Sequence, residues 1–449
     1  MRKGTFSRLF SFAIAAGLLF AASATMGQEK PVTAYAITHG KVFTVAGAPI
    51  EDGTVVIQDG KIAAVGANVQ IPADAKVIDA KGLEVYPGLF DPITQMGLRE
   101  IGAVSATVDT TETGDFNPDV VAAEAILPSS EHIPVTRASG ITEVLVVPAS
   151  GGFGGGGGGG NIFGGQASAI NMAGWTINDM LIKKSVAMVL DWPEIETRSF
   201  DFSTFSVKEK PYTEAKQEYE KNLDKLKDWL DEARHYAVAM GHGGKADYDR
   251  DVKLEALVPV VRGQLPVLVF ADREKDIKNA VEFCEKEKLK MILAGGEEAY
   301  KVKDLLRSKD IPVILRPMLT EVQDDDDPYD VLLTQPEVLR EAGVKFAIGS
   351  FDNAFARRLG QNAANAVAHG LPYDEALKAV TLYPAEILGL ADQVGTLETG
   401  KIANVIVTNG DPLEVTTDVK YLFIKGQETS LDNKQLRLYE KYLHRPKED

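Results

Sequence analysis

Histidine and cysteine are scarce in this chain of 449 residues, which holds six of the first and one of the second. A single cysteine, Cys284, cannot close an internal disulfide, so the fold rests on its apolar core. Cys284 lies in a helical run, Asp276–Lys288, with no base or metal cluster beside it, and reads as a small packed residue rather than a reactive thiol. Positive charge is short as well, and the formal net charge is −17. Such a chain repels nucleic acid and anionic membranes; excess acid of this kind serves solubility and does not argue for a cationic ligand. The long apolar run is confined to the start. Arg2, Lys3 and Arg8 accompany the mostly apolar Leu9–Ala22, and Ala22-Ser23-Ala24 is a small-x-small cleavage signal. Residues 1–24 therefore read as a secretory signal peptide, cut after Ala24 or after Gly27, and the apolar run is too short for a spanning helix. The expectation is an exported protein, periplasmic in a Gram-negative source or else secreted, with no membrane insertion after cleavage and no nucleic-acid partner.

The remainder of the chain is long enough for a large core and a smaller domain. Ala34–Ile37, Val42–Val45, Thr54–Ile57 and Ile62–Val65 are rich in β-formers, with turns at Gly40, Gly53, Asp59-Gly60 and Gly66. The other end mirrors this pattern in Gly395–Leu397, Ala403–Val407 and Tyr421–Ile424, split by Gly400-Lys401 and Gly410-Asp411-Pro412. Two β-rich ends around a different middle predict one small β-sandwich built from residues 25–86 and 396–430, leaving 431–449 as a C-terminal tail. In residues 87–395, near-continuous apolar strands such as Ile141–Val147 and Pro266–Phe270 alternate with amphipathic helices. That pattern predicts an α/β domain with a parallel sheet covered by helices, of a size that suits a (β/α)8 TIM-like barrel; a doubly wound open sheet is the structural alternative. Between Pro211 and Ala239, Tyr219, Leu223, Leu226, Leu230 and Ala233 recur three and four residues apart, marking a helix that covers the barrel or docks a partner.

Two biased segments carry little chemistry. Gly151–Gly165 includes seven consecutive glycines and so contains G-x-G-x-x-G trivially; the run is too floppy to cradle a phosphate, and Asn161-Ile162-Phe163 opens no helix. It reads as a mobile loop at the functional end of the barrel, able to act as a lid. The acidic run Asp324–Asp327 offers hard oxygen ligands for calcium, but its spacing fits no EF-hand and favours a solvated loop.

Val85–Met96, V-Y-P-G-L-F-D-P-I-T-Q-M, resembles the P-G-[LF]-[IF]-D-x-H-x-H signature of the amidohydrolase superfamily. Gly140-Ile141-Thr142, the stretch Ala363–Gly395, and Gly395-x-Leu397-x-x-Gly400-Lys401-x-Ala403-Asn404 are similar to further motifs of its imidazolonepropionase-like branch, with Asn404 in place of an aspartate. The resemblance covers about residues 32–426. It implies the barrel, the composite β-domain, and a divalent metal at the strand ends that activates water for hydrolysis of C–N bonds other than peptide bonds. The implied ligand positions hold unsuitable residues. Ile93 and Gln95 stand at the histidine pair, Phe270 at the strand-5 histidine, Gly295 at the strand-6 histidine and Phe351 at the strand-8 aspartate, with Asp352 one residue late. His39, His132, His235, His242, His369 and His444 fall outside the pattern, and the strand-4 position is not placed.

The main expectation is a non-hydrolytic relative without a metal or other cofactor. It binds a small amide-like ligand at a pocket drawn from Gln95, Asp272, Arg273, Arg316, Asp352 and Arg358, with Arg316 and Arg358 as a carboxylate clamp, or it pairs with a second copy or an active paralogue. The alternative is a working hydrolase that uses a divalent metal on Asp91, Asp272 and Asp352, or metal-free carboxylate chemistry. A secreted scaffold with no small ligand is a third reading.

Overall fold

The first five strands, β1 (Ala34–Val42), β2 (Ile50–Gln58), β3 (Lys61–Gly66), β4 (Lys76–Asp79) and β5 (Glu84–Pro87), form where β-branched residues alternate between glycine turns. The structure is a computed structural model that describes residues 34–148, 162–201, 204–241, 250–324 and 326–445. The signal-peptide region lies outside the described residues. Ten further strands come next in the chain: β6 (Leu89–Thr94), β7 (Ile141–Val146), β8 (Phe163–Asn171), β9 (Leu181–Asp191), β10 (Arg198–Asp201), β11 (Ser206–Glu209), β12 (Val267–Ala271), β13 (Met291–Gly295), β14 (Val313–Leu315) and β15 (Phe346–Ile348). The chain then returns to the first sheet with β16 (Val405–Thr408), β17 (Val419–Ile424) and β18 (Gln427–Glu428). Helices of seven or more residues are α1 (Tyr212–Gly241), α2 (Val252–Val261), α3 (Glu274–Lys286), α4 (Val331–Ala342), α5 (Leu359–Ala368), α6 (Tyr373–Ala379) and α7 (Lys434–Leu443).

Both terminal regions build one sheet, as expected. Its strands bond in the order β18-β17-β16-β5-β1-β2-β3, with β4 on β1, so the domain is one continuous sheet rather than two separately bonded layers. The link between the two ends is the antiparallel pair β16–β5, from Val405↔Pro87 to Thr408↔Glu84.

The eight barrel strands run β6-β7-β8-β9-β12-β13-β14-β15 and nearly close on themselves. At the seam the Phe351 amide donates to the Ile93 carbonyl at 3.0 Å and the Ser350 amide to Asp91 Oδ1 at 3.0 Å. The interior follows the two-residue period of a strand. Leu268 and Phe270, Ile292 and Ala294, Ile314 and Ala347 share the inner cluster, while Val267, Val269, Leu293 and Val313 face the helices. One expectation changes: β8 runs antiparallel to both β7 and β9. Only residues 172–180 separate β8 from β9. A parallel neighbour needs a crossover of a dozen or more residues, so this link permits only the reversed strand.

Outside, α1 buries Leu226, Leu230 and Ala233, and its Trp229 stacks on Phe116 at 5.3 Å between centroids. It covers the barrel, as its apolar stripe predicts. Cys284 is buried on α3, and burial followed by the Glu287 charge pushes its thiol up to about 12. The expected C-terminal tail contains α7, whose start Asn433 caps by accepting from the Gln435 and Leu436 amides.

A buried polar cluster joins the barrel to the terminal sheet. Asn404 Nδ2 donates to Asn171 Oδ1 at 2.7 Å, and Asn404 Oδ1 accepts from the Lys425 amide at 2.8 Å. The Thr142 hydroxyl donates to Glu143. Burial pushes the Glu143 carboxyl up to about 8, against the bonds from Thr142 and Asn404. Gly88 packs against this threonine so closely that a Cβ there would lie 1.7 Å from Thr142 Oγ1.

Candidate barrel-mouth site

The C-terminal ends of β6, β12 and β15 place three apolar side chains together. Ile93, Phe270 and Phe351 belong to the inner cluster, and the rings of Phe270 and Phe351 meet edge to face at 6.2 Å. The ladder between β6 and β7 shifts register between Asp91 and Thr94, a bulge that turns Ile93 inward. Phe351 holds φ 51°, a left-handed conformation that a bulky residue adopts at a cost. The seam bond to Ile93 fixes it there.

Above this apolar floor sits an ion-paired layer. Arg316, just past β14, binds Asp272 through Nε at 3.2 Å to both carboxylate oxygens and through Nη2 at 3.0 Å, and its Nε lies 3.8 Å from Glu297 Oε1. The guanidinium also stands 4.7 Å from the Phe351 ring centroid. Burial, then the Asp272 charge, raises the Glu297 carboxyl above its ordinary range. Gly295 ends β13 with φ 96° beside this pair. A Cβ on Gly295 would lie 2.3 Å from Asp272 Oδ1 and 3.3 Å from Arg316 Nε, so the ion pair fills the space a side chain would need there.

Of the three carboxylates of the hydrolytic alternative, Asp272 and Asp352 are engaged elsewhere and Asp91 is engaged through one oxygen only. Asp91 is fully buried; Oδ1 accepts from the Ile93 amide at 3.3 Å and the Ser350 amide at 3.0 Å, while Oδ2 has no partner. Burial pushes its carboxyl up to about 7, against the bonds from Ser350 and Ile93. Asp272 is taken by Arg316. Asp352 Oδ1 accepts from the Ala354 and Phe355 amides at 2.7 and 2.9 Å, closing its own turn. The left-handed Phe351 therefore does not bring Asp352 into the ligand position of the residue before it.

Of the expected pocket residues, Gln95 and Asp352 share a cavity of about 310 Å³ with Arg99, Glu100, Phe351 and Phe355. Arg273 immediately precedes α3 and makes no side-chain cap. The carboxylate clamp is not formed: Arg316 is held on Asp272, and Arg358 stacks on Phe355 at 4.5 Å. Sequence reasoning missed Arg99 and Glu297, which sit four residues past Gln95 and two past Gly295; their nearness to strand ends was the available signal.

The acidic run lies in a loop, as expected, with Asp326 exposed and Asp324 half-exposed, and a lysine ties Asp324 and Asp327 together. Lys301 Nζ bridges Glu298, Asp324 and Asp327 at 2.9, 2.8 and 3.1 Å. These three carboxylates are the one group among the described residues close enough together to share a cation, and the ammonium already lies among them. Burial opposes the charge, but the hydrogen bonds to the three carboxylates outweigh it and hold Lys301 above the usual lysine range. The described histidines lie elsewhere: His39 Nδ1 meets exposed Asp79 at 3.2 Å, His132 Nε2 the Glu100 carbonyl at 3.0 Å, and His369 and His444 bond carbonyls one turn back. His235 lies within α1. His242 and most of the glycine-rich segment fall outside the described residues, although Gly164 and Gly165 are part of β8.

The family pattern described as "Amidohydrolase family" matches residues 334–429. The amidohydrolase tasK of Hapsidospora irregularis is 24% identical over 404 residues, which cover 83% of this chain and 39% of that protein. An imidazolonepropionase of Geobacillus sp. (strain WCH70) is 46% identical over 52 residues, covering 10% of this chain and 12% of that one. The chain thus spans well under half the length of these curated relatives. The crystal structure of an amidohydrolase from Thermotoga maritima MSB8 superposes with a TM-score of 0.76 at 25% identity, covering 88% of this chain and 99% of that chain.

Proposed function

The chain belongs to the amidohydrolase superfamily, and on that premise we propose that its barrel mouth binds a small amide- or peptide-like ligand without metal-assisted hydrolysis. One observation carries the reading: Ile93, Phe270 and Phe351 form a packed apolar floor where the superfamily resemblance calls for metal donors. Hydrocarbon side chains have no lone pair for a cation, and a glutamine carbonyl at Gln95 is a weak zinc donor beside imidazole or thiolate. A dication above such a floor is strongly disfavoured. Restoring a donor at Gly295 means displacing the Asp272–Arg316 pair. The residues present therefore do not fit the metal that the superfamily implies.

The neighbouring cavity of about 310 Å³ lies at the small end of the range for ligand pockets, roughly 300–1,000 Å³. Gln95 carries both a donor and an acceptor, the complement of an amide. Arg99 and Asp352 supply opposite charges, and Phe351 and Phe355 offer ring surfaces.

A thermal-shift screen of cyclic amides, N-acyl amino acids and dipeptides tests this. A hit should bind equally well in the presence of EDTA, remain uncleaved, and lose at least tenfold in affinity in Gln95→Leu. Turnover of any hit that depends on added zinc or manganese contradicts it. Export is a further part of the proposal, supported by Arg2, Lys3, Arg8 and the apolar Leu9–Ala22. Expression of the whole chain in a Gram-negative host should give a periplasmic product that begins at Thr25 or Gln28; a cytoplasmic product with an intact N-terminus overturns it.

A further inference from the structure

The last helix, α7, is amphipathic and presents its apolar face to water. At about 100° per residue, Leu436, Leu438, Tyr439, Tyr442 and Leu443 fall on one arc interrupted only by Gln435, while Lys434, Arg437, Glu440 and Lys441 share the other. A surface helix of this pattern ordinarily turns its apolar stripe to the core. Here no residue of the helix is buried, and the five apolar side chains are 41–61% exposed. The helix is held at its start, where buried Asn433 caps it, and through the polar arc, where Arg437 lies 2.8 Å from Asp432 and 3.6 Å from Glu131. Leu436 borders a groove beside Val415, and both stay exposed, Val415 to 71%.

Single exposed apolar residues are normal, but five on one arc, joined through Leu436 to Val415, are a patch. Six such side chains leave on the order of 500 Å² per copy in water, so a two-fold pair covers on the order of 1,000 Å², the lower bound for a specific interface. Charge points to the same occupant. Residues 432–449 hold five cations, Lys434, Arg437, Lys441, Arg445 and Lys447, against four acidic side chains, in a chain whose net charge is −17. Two copies of so acidic a chain repel over most of their surface, and a near-neutral segment is where they can meet. The same near-neutrality gives none of the attraction to an anionic bilayer that a basic amphipathic helix has.

We propose that α7 is a self-association surface: two copies pair about a two-fold axis with their α7 helices antiparallel. Leu436, Tyr439 and Leu443, spaced by three and four residues, form the seam. Antiparallel packing sets the two helix dipoles favourably, and Tyr439 meets its counterpart near the axis. The surface is separate from the barrel mouth, and the two readings stand or fall independently.

Sedimentation equilibrium of the purified chain at micromolar concentration tests the proposal, and the expected species is a dimer. Tyr439→Glu/Leu443→Glu should weaken dimerisation at least a hundredfold while the circular dichroism of the folded chain is unchanged, because both side chains are exposed. Trp175→Ser removes another apolar side chain, 95% exposed, and should leave the dimer unaltered. Under mild oxidation Tyr439→Cys should form an interchain disulfide and Lys434→Cys, on the polar arc, should not; Cys284 is buried and does not compete. A chain that stays monomeric, a dimer that survives the double substitution, or equal cross-linking of the two cysteine variants would each overturn the assignment. So would a monomer that sediments with phospholipid vesicles, since the face would then have a different occupant.

Discussion

The barrel meets the terminal sheet at one place and solvent at another, and the two regions use polar groups in opposite ways. At the junction, Asn404, Asn171 and Glu143 are buried, and Asn404 satisfies both ends of its amide. Their work is to hold two sheets in register, and Gly88 allows the backbone to come close enough for it. At the mouth, the strand ends carry Ile93, Phe270 and Phe351, and the charged groups above them, Arg316 with Asp272 and Glu297, are turned toward one another. The residues that match the superfamily's architectural motifs thus have a mechanical role in this chain, and the proposal is that the positions associated with its chemistry have been absorbed into packing. Fold and activity are written in different residues, and one can be kept without the other.

The comparison breaks most visibly at the junction. In Gly88→Ala the new Cβ would lie 1.7 Å from Thr142 Oγ1 and 2.6 Å from Thr142 Cβ, with backbone-tied atoms on both sides. The expected loss is about 3 kcal/mol or more in unfolding free energy, read by urea denaturation, with part of it recovered by adding Thr142→Ala.

Glu143 gives the next largest effect, and its sign is fixed by linkage. Its carboxyl is pushed up to about 8 in the folded chain from an ordinary value of 4.5. Between those values the unfolded chain has released a proton that the folded chain retains, so stability falls as pH rises, by up to about 1.4 kcal/mol per pH unit. Asp91 adds a similar slope that ends near 7. Glu143→Gln should remove one of the two slopes, flattening stability between pH 7 and 8 in particular. A slope there that survives the substitution would place the titrating group elsewhere.

Arg316→Met probes the mouth and should cost less, about 1–2 kcal/mol, because Arg316, Asp272 and Glu297 keep some contact with water. The loss should shrink at low pH, where the Glu297 carboxyl, already raised by burial, takes up a proton. A variant as stable as the parent at neutral pH would show that the ion-paired layer contributes nothing to the mouth.

The sequence made most of this framework legible. Val144–Val147 and Pro266–Phe270 are apolar on both faces, as befits strands buried in a barrel, and the stripe of α1 shows in its spacing. Strand β8 was hidden because F-G-G-Q-A-S-A-I-N mixes glycine, glutamine, serine and asparagine into the run, and its reversed direction depends on the length of a link rather than on any residue. The order of motifs placed Ile93, Phe270 and Phe351 at strand ends, and the structure unites them. The pairing of Arg316 with Asp272 and Glu297, the Lys301 bridge and the Arg358–Phe355 stack were not legible. Each joins loops through long side chains whose meeting leaves no periodic trace.

The central claim, an apolar barrel floor that rejects a dication, is tested most directly by the metal content of the purified chain. After exposure to zinc, iron or manganese and exhaustive dialysis, the account predicts that no stoichiometric ion remains and that added zinc does not alter the thermal midpoint. One ion per chain that resists dialysis and is lost in Asp91→Asn would contradict it.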